Sequence, residues 1–143
     1  MSASRRISTR SFWLGMGAAV ILVAAYAGPS AAGEVTLSGG QEVPAVTTSA
    51  SGKGSITVAA DKTVSGSVTT TGVQGTAAHI HEAAQGKNGP VIVPLTKNGD
   101  TYSVPAGAKL TDEQYAAYKA GNLYVNVHSD AHKGGEVRAQ ITP

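Results

Sequence analysis

Short segments in which every second residue is apolar constrain the fold of this 143-residue chain more than any other feature. The clearest of them span 123–128 and 137–141, and similar runs lie at 54–59, 64–68 and 76–81. Successive side chains of a β-strand point to opposite faces, so this alternation predicts strands with one buried and one polar face. Turn residues separate about seven such segments, which predicts an all-β chain, an antiparallel β-sandwich or a flattened barrel.

One segment between the strands has the pattern of a short helix. Thr111 and Gln114 have the spacing of a capping box, and Gly121 is a natural stop after the last turn. The residues that would bury one side of this helix are Leu110, Tyr115 and Tyr118. We therefore expect a single helix, placed as a crossover in a long connection.

The start of the chain has the three zones of a secretory signal peptide. Its basic residues are Arg5, Arg6 and Arg10. An apolar run at 12–27 follows, and small residues at 30–32 come next. The sequence thus predicts a signal peptide over residues 1–32 and a domain over residues 33–143 that works in the periplasm or is secreted.

Two alternatives apply to this leader. Small residues precede two possible cleavage positions. Cleavage after Ala32 is favoured, and cleavage after Ala27 is the second choice. An uncleaved membrane anchor is less favoured, since the apolar run of about 16 residues is shorter than the ~20 needed to span a bilayer. No comparable apolar run follows it, so the mature form is not expected to span a membrane.

Composition excludes several classes of function. Three of the eleven basic residues lie in the leader, so eight face nine acidic residues in the mature chain, whose net charge is about −1. Without a basic surface, nucleic acid is not an expected partner. The chain has no cysteine, which excludes thiolate metal sites, iron–sulfur clusters and cysteine nucleophiles. Histidine, carboxylate and neutral oxygen ligands remain.

The four histidines all lie in the predicted domain. His79 and His81 are two apart on one strand, so their side chains share a face at about 6.6 Å between Cα atoms. His128 ends another strand on the side away from the apolar residues, and His132 follows in the next loop. These residues predict a mononuclear metal site, with His132 as a candidate fourth ligand. Imidazole ligands suit copper, zinc or nickel, although such a strand pair also occurs with no ligand role.

Five segments are informative in combination: LSGGQEVP at 37–44, AAHIH at 77–81, GPV at 89–91, GNLYVNVH at 121–128 and GGEVRAQ at 134–140. Together they resemble the CHRD domain, a module named after chordin and found in bacterial exported proteins. The resemblance covers nearly all of residues 33–143 in the right order. It implies an immunoglobulin-like β-sandwich.

A more distant resemblance concerns the segment HIHE at 79–82. It is similar to the strand that supplies two copper ligands in copper,zinc superoxide dismutases, which are Greek-key β-sandwiches. The resemblance implies copper as the metal, with zinc second, and His128 as a further ligand. It also implies that Arg138 guides the superoxide anion. The zinc-binding loop, the bridging histidine and the disulfide have no counterpart, so only a copper-only site is expected.

Three functions remain open at this point. The first is an exported copper-binding protein that dismutates superoxide, with Arg138 in the catalytic role. The second is a copper buffer that uses the same histidines without turnover. The third is a structural or adhesive module with no ligand. Asn126 and Tyr124 lie on the same face as His128, where they could support a metal site.

Overall fold

The computed structural model describes residues 33–143, so the predicted signal peptide lies outside the described residues. These residues form nine strands, one helix and a 3-10 turn at Gly39–Gln41. The strands are β1 (Glu34–Ser38), β2 (Ser51–Val58), β3 (Val64–Thr71), β4 (Gly75–Glu82), β5 (Val91–Pro94), β6 (Thr96–Asn98), β7 (Thr101–Ser103), β8 (Leu123–Ser129) and β9 (Val137–Ile141). The helix α1 is Asp112–Lys119, between β7 and β8.

All nine strands in residues 33–143 belong to one sheet, with the order β5-β4-β8-β9-β1-β2-β3-β7-β6. Every pairing is antiparallel. The two ends of the sheet approach each other, because β5 ends at Pro94 and β6, at the opposite end of the strand order, begins at Thr96. The sheet is therefore nearly closed, and the prediction of an all-β antiparallel fold is confirmed.

The expected number of about seven strands is wrong for this part of the chain. The strand without a sequence signal is β6, whose three residues are all exposed. It pairs with β7 across a tight turn in which Gly99 has a positive φ of 61°. An exposed edge strand has no buried face, so alternation could not reveal it.

Within residues 33–143 a single hydrophobic core holds together the two halves of the sheet, which are β5-β4-β8-β9 and β1-β2-β3-β7-β6. Strand β8 contributes Leu123, Val125 and Val127, and each is at most 1% exposed. Leu37 and Ile56, from the other half, are fully buried in the same cluster. Burial of an aliphatic side chain contributes about 1.5–3 kcal/mol, so this shared core is what keeps the sheet curled. The polar side chains of β4, β8 and β9 are left on the outer face.

The predicted helix is present with its predicted cap. The Thr111 hydroxyl accepts from the backbone N–H of Gln114, whose side chain accepts from the N–H of Thr111. Gly121 follows the helix with a positive φ of 78°, and Tyr118 is buried against the core. No helix within residues 33–143 has the length and apolarity needed to cross a membrane.

The capping box predicts a measurable contribution of Thr111 to stability. We expect Thr111→Ala to lower the free energy of unfolding by about 1 kcal/mol, because the N–H of Gln114 loses its acceptor. Thr111→Ser keeps the hydroxyl and serves as the matched control. Urea denaturation of both variants beside the wild type measures the effect, and equal midpoints for Thr111→Ala and the wild type would contradict it.

Candidate metal centre

The register between β4 and β8 brings three histidines together on the outer face of the sheet. Residues paired across neighbouring strands point to the same face. The pairs on this face are Ala77 with His128, His79 with Asn126 and His81 with Tyr124. The residues between them, Ala78 and Ile80, are buried in the core. The predicted division of faces in both strands is therefore correct.

The three side chains are close enough to bind one metal ion. One ring nitrogen from each of His79, His81 and His128 lies within 4.8 Å of the others. The Nδ1 atom of His79 and the Nε2 atom of His128 are 3.1 Å apart. Nitrogens bound to one metal ion at about 2.0–2.1 Å lie roughly 3–4 Å apart. The cluster is thus near the spacing of a mononuclear site.

Backbone carbonyls fix which nitrogen of two of these rings carries a proton. The Nδ1 atom of His81 lies 3.0 Å from the carbonyl oxygen of Gly89, and the Nδ1 atom of His128 lies 2.8 Å from that of Lys133. A carbonyl oxygen only accepts, so each Nδ1 donates its proton and each Nε2 of the neutral ring keeps a lone pair. The Nε2 atom of His81 is buried without a hydrogen-bond partner. This is the state in which histidine binds a metal.

Burial favours the neutral form of the His79 and His81 rings. It is the main cause that lowers the pKa of His79 and of His81 below the ordinary value of 6.5. The positive charge that His128 would carry when protonated lowers both pKa values further. Protons therefore compete weakly for the ring nitrogens of His79 and His81 near neutral pH.

Comparison with known protein families adds one finding to this geometry. The family model of the CHRD domain matches residues 34–141. The chain belongs to the CHRD domain family. The comparisons found no match among the curated proteins and none among the solved structures.

In this CHRD domain the ring of Tyr124 lies between Arg138 and His81. Arg138 pairs with Asn126 on the same outer face of the sheet. Its guanidinium carbon is 3.4 Å from the centre of the Tyr124 ring, and that ring stacks on His81 with centroids 4.7 Å apart and planes 2° apart. Arg138 is only 1% exposed. The Tyr124 ring thus separates its charge from His81.

The fourth histidine of this CHRD domain is placed elsewhere. His132 is outside the group of nitrogens formed by the other three. Its backbone exchanges two hydrogen bonds of 3.2 Å with Ser129, which closes the turn after β8. His132 lines a surface pocket with Glu42 and Gly135. The structure therefore brings together three of the four predicted ligands.

Sequence reasoning assigned no role to Glu42, which lies in a buried polar group with Asn126 and Arg138. Glu42 is 5% exposed, and its Oε1 atom has no hydrogen-bond partner. Burial raises its pKa from 4.5 to about 7, although the charge of Arg138 and the amide of Asn126 act in the opposite direction. A Cβ atom at Gly135 would lie 2.4 Å from that Oε1 and 2.5 Å from Nδ2 of Asn126, so glycine is required there.

The raised pKa of Glu42 predicts a stability that depends on pH. The unfolded carboxyl titrates near 4.5 and the folded one near 7, so the folded state holds an extra proton between these values. The contribution of Glu42 to the free energy of unfolding therefore falls as pH rises through this window, by at most about 1.4 kcal/mol per unit and roughly 3 kcal/mol in all.

Glu42→Gln is expected to remove this dependence. Relative to the wild type, the variant should gain stability as pH rises from 5 to 8, in urea denaturation at each pH. The histidines contribute equally to both proteins and cancel in the difference. Glu34→Gln, at an exposed position in β1, is the control. A difference curve for Glu42→Gln that is flat across this range would contradict the prediction.

Proposed function

We propose that this CHRD domain binds a single copper ion through His79, His81 and His128 and works outside the cytoplasm. The observation that carries the proposal is the convergence of three ring nitrogens within 4.8 Å. Two of the rings are already held in the tautomer that keeps the lone pair on Nε2, and the Nε2 atom of His128 lies within hydrogen-bond distance of Nδ1 of His79, at 3.1 Å. The zones of a signal peptide at 1–32 support the export.

The donor set supports copper before zinc. All three ligands are imidazole nitrogens, and the chain has no thiolate to offer. Affinity of a nitrogen site for divalent metals rises along the first row to copper and falls again at zinc. Imidazole also binds both oxidation states of copper. Zinc is therefore the second choice, and competition between the two metals would test the order.

Superoxide dismutation is the activity that we propose to test at this site. A copper ion bound there would supply one-electron redox chemistry. His79 and His128 are half-buried, so the cluster is accessible to a small anion. Arg138 is almost completely buried. Anion guidance by this residue is therefore less well supported than metal binding by the histidines. A copper buffer is the same site without turnover.

The test is titration of the purified domain with copper(II), followed by spin-resonance spectroscopy. We expect one copper per chain with nitrogen hyperfine structure. His79→Ala and His128→Ala should weaken binding by more than about 100-fold, beyond the 10–100-fold typical of residues that only support a ligand. His132→Ala is the matched control and should bind as the wild type does.

Weak binding of variable stoichiometry, equal in the wild type and His79→Ala, would contradict the proposal. It would favour a structural or adhesive module instead. A superoxide-decay assay on the copper-loaded protein then separates the enzyme from the buffer. Decay no faster than that of free buffer would leave copper binding as the function.

A further inference from the structure

The loop at 83–90, which joins β4 to β5, covers part of the outer face beside the histidines. It begins two residues after His81 and returns so that the N–H of Glu82 donates to the carbonyl of Pro90 at 3.1 Å. A Cβ atom at Gly89 would lie 1.8 Å from the carbonyl oxygen of Glu82. Glycine is therefore needed where the loop returns to the strand.

Gly89 holds two residues of the site at once. Its carbonyl accepts from Nδ1 of His81 at 3.0 Å, and its N–H donates to the Tyr124 hydroxyl at 3.1 Å. The Tyr124 ring lies parallel to the His81 ring. The position of Gly89 consequently sets both the tautomer and the plane of His81.

Strand β9 anchors the loop at two points. The guanidinium of Arg138 donates from Nη1 to Oδ1 of Asn88 at 3.0 Å and from Nη2 to the carbonyl of Lys87. Gln140, two residues along the same face, donates to the carbonyl of Ala83 at 2.9 Å. Arg138 therefore binds the two residues that immediately precede Gly89.

We infer that Arg138 is a positioning residue of the metal site, which clamps the 83–90 loop so that Gly89 keeps the Nε2 lone pair of His81 directed at the metal. This rests on the proposed function, and it gives the arginine a role other than anion guidance. The two donors and the flat face of the guanidinium are used together, on Lys87, Asn88 and the Tyr124 ring. Lysine has the charge without this planar geometry.

The experiment separates the charge of Arg138 from the planar geometry of its guanidinium. Arg138→Lys keeps a positive charge but loses the fork, and Asn88→Ala removes one partner of the clamp at an exposed loop position. We expect both to raise the rate of copper release to a chelator by about 10-fold, within the range typical of residues that orient a ligand. Lys53→Ala, an exposed lysine on β2, is the control and should release copper as the wild type does.

A second measurement uses the metal-free protein. Nitrogen NMR of the His81 ring should show one tautomer protonated at Nδ1 in the wild type and a mixture in both clamp variants. This measurement does not require copper. It therefore tests the clamp independently of the proposed function, including the case in which the wild type binds no copper. Urea denaturation of each variant shows that the folded protein is being compared.

Two results would overturn the inference. The first is a wild-type release rate and a single His81 tautomer in folded Asn88→Ala and Arg138→Lys. The second is a loss confined to superoxide decay in Arg138→Ala, restored by Arg138→Lys and weakened by salt, with copper release unchanged. That second pattern would show that charge alone matters and that the arginine guides the anion.

Discussion

The antiparallel register of β4 against β8 is the constraint on which the site depends. Ala78 and Ile80 face Val127 and Val125 in the core, and these pairs fix which residues point outward. A slip by one residue would turn the histidines inward and expose the aliphatic side chains. Hydrophobic burial thus sets the positions of the metal ligands before any metal binds. The cluster is a consequence of the fold and does not need a metal to form.

The second determinant is the backbone of two loops. The carbonyls of Gly89 and Lys133 come from opposite sides of the cluster and accept from His81 and His128. Each bond selects one tautomer, so His81 and His128 need no change of tautomer to present Nε2 to a metal. These hydrogen bonds restrict the rotation of the two rings when the protein folds, so metal binding loses less side-chain entropy. The buried, unpartnered Nε2 atom of His81 fits the same interpretation, because such an atom costs free energy unless a ligand satisfies it.

Much of this arrangement could be predicted from sequence where a periodic signal exists. Alternation over 123–128 indicated the faces of β8, and the spacing of His79 and His81 placed them together. Loop geometry has no such signal. The parity of Arg138 was correct, but nothing in the sequence indicated that the 83–90 loop would cover its guanidinium. Glu42 was missed for the same reason, since its burial depends on how the segment after β1 packs against Gly135.

The burial of Arg138 bears on how the site is organised. Removal of a guanidinium from water costs several kcal/mol unless hydrogen bonds and a counter-charge offset it. Here a carbonyl, an amide oxygen and an aromatic face provide that compensation, with Glu42 as the nearby acid. Because the pKa of Glu42 is about 7, this acid carries only part of a negative charge near neutral pH. The loop contacts therefore provide much of the compensation, which ties the arginine to the loop that orients His81.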